Sequence, residues 1–160
     1  MKILKYVFLC LYIITFGYHC VSSLQTAEES SSISMDVTEV VVEIEENVFH
    51  HEVTDIEKVH NNVRKIIGHF MYFGLIGTFG FLTFYCFLKK LSKTIIFSAP
   101  LGLLMAIVSE ALQNFTDGRG PSIKDVFIDY AGYLVATLVL LLIFYLVIRN
   151  RNKKMKEGVE

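Results

Sequence analysis

"TIIFSAPLGLLMAIVSEALQNFTDGRGPSIKDVFIDYAGYLVATLVLLLIFYLVI" occupies residues 94–148. It is two apolar runs around a polar turn. Thr94–Thr116 carries one charged residue, Glu110, and Val126–Ile148 carries one, Asp129. A membrane-spanning helix needs about 20 mostly apolar residues, and each run is long enough. A helix of a soluble bundle would show a polar face at every turn, and neither run does. Between them, "TDGRGPS" holds two glycines and a proline and cannot continue a helix. The reading is a membrane hairpin with its charges gathered at one end.

Working outward, two more stretches match. Ile66–Leu88 and Tyr6–Ala27 contain no Asp, Glu, Lys or Arg. The fold class expected is therefore an all-α integral membrane bundle of four transmembrane helices, over about residues 5–24, 67–88, 94–113 and 126–148. The first stretch also has the basic head and apolar middle of a signal peptide. Its length and the lack of a small-x-small cleavage site favour a retained helix. Segments follow from this: 1–24 as first span or uncleaved anchor, 25–63 as an acidic extracytoplasmic loop, 64–148 as the main membrane domain, and 149–160 as a basic tail.

Basic residues set the orientation. Ten of the fifteen fall on one side if the spans alternate: Lys2, Lys5, Lys89, Lys90, Lys93, Arg149, Arg151, Lys153, Lys154 and Lys156. Residues 23–65, on the other side, hold ten acids and three bases. A multi-pass membrane protein with both termini in the cytoplasm is expected. The total charge nearly cancels, which gives no footprint for nucleic acid. Three cysteines, Cys10, Cys20 and Cys86, read as structural apolar residues, and no disulfide is expected.

The acidic segment divides. "SSLQTAEESSSIS" reads as disordered. Val40, Val42 and Ile44 alternate with glutamates, a weak strand signal. Ile56, Val59, Val63 and Ile66 recur at helical spacing and predict an amphipathic helix leading into the second span. His50, His51 and His60, with Glu46 and Glu52, tempt a metal reading. Adjacent histidines diverge on helix or strand, and no HExxH is present, so neither metal nor cofactor is expected.

Polar residues cluster at the outer ends of three spans. His69 follows Lys65 by four positions. Glu110 and Gln113 share a helical face. Arg119 and Asp125 lie in or beside the turn, and Asp129 is one turn into the fourth span. Gly132 and Ala136 extend that face with small residues that permit close helix packing. A charge at the bilayer centre costs about 2.5–3.5 kcal/mol on insertion scales, and less near the interface. These groups are least costly when they face one another. Arg119 can pair with Glu110 or Asp125, and His69 with Glu110 or Asp129.

The pattern resembles the VanZ-like family of small bacterial membrane proteins. Its "RK…HF" is similar to Arg64, Lys65, His69 and Phe70. Its "E..Q.f.pgR…D…N/D..G" is similar to Glu110, Gln113, Phe115, Gly118, Arg119, Asp125, Asp129 and Gly132. The resemblance covers about residues 64–136. Two departures stand out: three residues rather than two separate Lys65 from His69, and Asp129 stands where many members have Asn. The resemblance implies a cell-envelope protein connected with tolerance of teicoplanin, a glycopeptide antibiotic with a lipid tail.

Three functions are in play. The first is binding of a membrane lipid headgroup or lipid-linked cell-wall component, with Lys65 and Arg119 meeting phosphate and His69, Glu110, Gln113, Asp125 and Asp129 orienting the ligand. The second is an integral membrane enzyme on such a lipid, with His69, Glu110 or Asp125 as acid or base. The bland counterpart is an Arg–carboxylate pair that only locks two spans together, or, for Asp129, a helix–helix hydrogen bond. The third, a small transporter, is disfavoured because no ionisable group lies at mid-depth and no inverted repeat is visible.

Overall fold

A computed structural model describes residues 3–50, 53–118 and 120–158. Most of the described residues are helical, and none is in a strand. The elements are α1 (Leu4–Ser23), α2 (Ala27–Phe49), α3 (Ile56–Val63), a π-helical segment (Arg64–Met71), α4 (Tyr72–Leu88), α5 (Leu91–Leu112), a 3₁₀ turn (Gln113–Phe115) and α6 (Ile123–Glu157). Four helical stretches are long and apolar enough to cross a membrane: Leu4–Ser23, Ile56–Leu88, Leu91–Phe115 and Ile123–Met155. The four-helix membrane bundle is therefore as the sequence predicts.

The helices pack around Tyr133 of α6, which is fully buried. Three glycines make room for it. A Cβ at Gly77 would meet the Tyr133 carbonyl oxygen at 2.6 Å, and Cβ atoms at Gly80 and Gly102 would strike its ring or hydroxyl. Without side chains at these positions, α4 and α5 close on α6 from two sides, as small residues allow in membrane bundles. The Tyr133 hydroxyl is 3.1 Å from Ser98 Oγ and 3.4 Å from the Tyr12 hydroxyl. Tyr12 donates in turn to Met105 Sδ at 2.9 Å. Phe73, Ile76 and Ala106 complete this core.

α1 forms the fourth wall. Besides Tyr12, its Thr15 carbonyl accepts from the Tyr72 hydroxyl at 3.3 Å, and Ser23 Oγ lies 3.1 Å from Ser109 Oγ. The His19 ring stacks on Tyr72 and meets Phe73 edge-on, both at 5.0 Å between centroids. The opposite faces of the spans are apolar and exposed, as at Ile13, Ile14, Leu104, Leu138 and Leu142. In water such a surface would drive association; facing acyl chains it is the expected exterior.

The acidic segment departs from expectation. It is neither a loop nor a strand: α2 begins at Ala27 with a capping box, in which Thr26 Oγ1 accepts from Glu29 N and Glu29 Oε2 accepts from Thr26 N. Glu28 and Glu29 also stand in the first turn, where the helix dipole favours acid. Val40, Val42 and Ile44 lie on this helix, because the cap and a long run free of Gly and Pro outweigh a short alternation. α2 docks on α3, where Ser34 Oγ lies 2.7 Å from His60 Nε2. Its first turn rests on the α5–α6 connection, with Ala27 N donating to the Asp117 carbonyl. α3 is the expected amphipathic helix into the second span. Its apolar face stops early: Val63 is buried, whereas Ile66, inside the π segment, is exposed.

Candidate functional site

The polar residues meet at the end of the bundle away from the Lys89–Lys90 link. His69 sits on the π-helical segment Arg64–Met71. A π turn takes up one more residue than an α turn and is common at functional sites. Gly132 lets α6 approach this segment, since a Cβ there would fall onto the Phe70 carbonyl oxygen. Gly74 extends the contact, its added Cβ meeting the Gly132 carbonyl oxygen at 3.6 Å and Ala136 at 4.0 Å.

That approach puts His69 against Asp129, with Nδ1 and Oδ1 3.0 Å apart. A carboxylate only accepts, so Nδ1 carries the proton between them. Glu110 Oε1 lies 3.8 Å from the same nitrogen. Gln113 Nε2 donates to Glu110 Oε1 at 2.8 Å, and the backbone N–H of Ser122 donates to Oε2 at 3.0 Å. Ser122 is the N-cap of α6, and its Oγ accepts from Asp125 N. Glu110 thus ties the end of α5 to the start of α6. His69, Glu110 and Asp129 are 6%, 1% and 0% exposed, and one ligand atom from each lies within 4.8 Å of the others.

Other expected site residues lie further out. Asp125 is half-buried in the first turn of α6. Lys65 is exposed. Arg119 lies outside the described residues. His51 and Glu52 do too, while His50 caps α2 in a left-handed conformation (φ 51°) and His60 is engaged by Ser34.

Beside the buried cluster is a cavity of ≈ 260 Å³. His69 and Gln113 line it where it reaches the cluster. Tyr18, His19 and Ser22 of α1, Arg64 and Ile67 of the π segment, and Tyr72 of α4 form much of its wall. α2 closes it with Ser30, Ile33, Ser34 and Val37. These α2 residues are spaced as one helical face, a signal present in the sequence but masked by a serine- and glutamate-rich composition. Arg64 rather than Lys65 supplies the cation of the wall.

Gly132 gives a direct test of this assembly. Gly132→Ala is expected to push α6 off the π segment and cost about 1–3 kcal/mol as an overpacked contact. Thermal unfolding in detergent would show it as a lower midpoint, and Gly17→Ala, inside α1 where an added Cβ meets nothing within 4 Å, should leave the midpoint in place or raise it.

No curated protein and no solved structure gives a match to the chain. One family model does match, VanZ/LLP1, over residues 3–146. The match takes in α1 and the acidic helices as well as the polar motif, so it reaches well beyond residues 64–136. With nearly the whole chain covered and the motif residues His69, Glu110, Gln113 and Asp129 assembled into one buried cluster, the chain belongs to the VanZ/LLP1 family.

Proposed function

We propose that this VanZ-family membrane protein holds a lipid headgroup or a lipid-linked cell-wall component at the outer leaflet of a bacterial membrane, and that it thereby contributes to teicoplanin tolerance. The observation that carries the reading is the cavity. Its wall combines a guanidinium, two imidazoles, two amides and serine hydroxyls with the apolar Ile33, Val37 and Ile67. That mixture suits a polar headgroup attached to an acyl or prenyl chain. At ≈ 260 Å³ the space suits a headgroup and not a whole glycopeptide, so tolerance would come from masking or withholding a lipid-linked component.

The test is binding of phosphatidylglycerol, against phosphatidylcholine, by the purified chain in detergent. Arg64→Ala should weaken the anionic preference by about tenfold or more, the equivalent of one charge-assisted hydrogen bond. It should lower teicoplanin tolerance at unchanged membrane abundance. Equal binding by Arg64→Ala and the parent chain would remove the reading.

A second reading has its own observation. The His69–Asp129 pair, with Glu110 beside it, is arranged as a carboxylate-oriented imidazole that can take or give a proton at a headgroup. An enzyme of this kind changes the lipid profile, and Glu110→Gln abolishes that change at normal protein level. A binding protein leaves lipid species unaltered. Mass spectrometry of lipids from deletion and overexpression strains separates the two.

A further inference from the structure

We propose that His69, Glu110 and Asp129 form a binding site for one divalent cation of the zinc class. The sequence looks for metal ligands in the loop histidines and finds none suitable; folding assembles a different set from three separate helical segments. This inference does not depend on the lipid-binding reading.

The donor set comes first. One imidazole nitrogen and two carboxylate oxygens lie within 4.8 Å of one another, on side chains that are almost fully buried. Such a mixed nitrogen and oxygen set suits zinc and its first-row neighbours better than calcium or magnesium, which favour oxygen alone. Ligands around a tetrahedral ion with bonds of about 2.0–2.2 Å are about 3.3–3.6 Å apart. His69 Nδ1 and Glu110 Oε1, at 3.8 Å, need only a small contraction.

An independent observation points the same way. Asp129 is fully buried, its Oδ1 engages His69, and its Oδ2 has no hydrogen-bond partner. A carboxylate oxygen shut away from water without a donor is costly, and a bound ion is one of the few things that compensate it. No lysine or arginine forms a salt bridge with Asp129 among the described residues.

The surroundings also suit a ligand set. Metal-binding carboxylates are normally held by hydrogen bonds of their own. Glu110 is held by hydrogen bonds from the Gln113 amide and the Ser122 N–H. Three protein ligands leave at least one position for water or a ligand oxygen. The cavity reaches the cluster at His69 and Gln113, so that position can be supplied from it. Nδ1 must offer its lone pair to the ion. The proton it shares with Asp129 is therefore displaced: the ring keeps one proton, on Nε2, and any second proton goes to water.

The test uses the full chain, free of any affinity tag, in detergent without added lipid. It is stripped with a chelator and titrated with zinc chloride by calorimetry, and bound metal is counted after dialysis. The expected result is one zinc per chain. His50→Asn, which alters an exposed histidine, should bind equally well. His69→Ala and Asp129→Asn should weaken binding by more than about tenfold. His69→Cys guards against variants that fail to fold, because its sulfur sits close to the position of Nδ1. With cobalt(II) it should gain a thiolate-to-metal charge-transfer band that the parent chain lacks. Less than stoichiometric zinc on the parent chain, undiminished binding by folded His69→Ala or Asp129→Asn, or a folded His69→Cys without the band would each overturn the proposal. Because lipid is left out, a failure of the lipid reading does not alter these outcomes.

Discussion

Tyr133→Ala will lower stability by about 3–5 kcal/mol, the range for removing a large buried aromatic ring. Between helices in lipid, packing rather than water exclusion supplies most of the attraction. Tyr133 is the side chain on which that packing converges. Gly80 and Gly102 face its hydroxyl and ring and have no side chains to fill the space it would leave, while Gly77 lies against its backbone. The neighbouring helices cannot collapse into the void without losing their own contacts, so the cost should sit at the upper end. Tyr133→Phe keeps the ring and loses the hydroxyl contacts with Ser98 and Tyr12. It should cost about 0.5–1.5 kcal/mol. Unfolding midpoints in detergent check both, and similar losses for the two variants would show that the ring is not the centre of the fold.

Asp129→Leu is expected to have an effect of comparable size, at the site rather than in the core. It leaves the His69 Nδ1–H buried without its acceptor at 3.0 Å and leaves Glu110 as the remaining carboxylate of the cluster. Removing one member of a buried pair typically costs about 3–5 kcal/mol, since the other stays desolvated. Asp129→Asn retains an acceptor for His69 and should cost about 1 kcal/mol or less. A large gap between Leu and Asn is the expected signature. Equal destabilisation by both would mean that shape at position 129, not the hydrogen bond, is what matters.

The membrane architecture was legible because nearly charge-free runs of this length leave the chain little alternative to crossing a bilayer. The cluster was partly legible for a related reason. Glu110 and Asp129 are each the single charge in an apolar run, and such residues are tolerable only when they meet partners. Other parts were hidden. Serine and glutamate suggested disorder at 22–34, yet Thr26 and Glu29 are a matched capping pair, and the face at 30, 33, 34 and 37 closes the cavity. Arg64 and Lys65 are adjacent and chemically alike. Which of them turns toward the cavity depends on the winding of the helix there, and residue type does not reveal it.

That winding bears on how the chain tolerates change in length. Relative to the family-like pattern, one extra residue separates Lys65 from His69, and the π-helical stretch at Arg64–Met71 takes it up. The segments before and after the stretch thereby keep the relative facing that an uninterrupted α-helix without the extra residue would give them. A deletion of one residue inside the stretch would restore an even pitch and leave α3 facing as it does, whereas a deletion just before it, after His60 in α3, would turn the preceding residues by about 100° relative to α4, the angle of one α-helical step. α3 carries α2 with it through the Ser34–His60 contact, so the roof of the cavity would swing away while His69, on the α4 side of the deletion, kept its place beside Asp129.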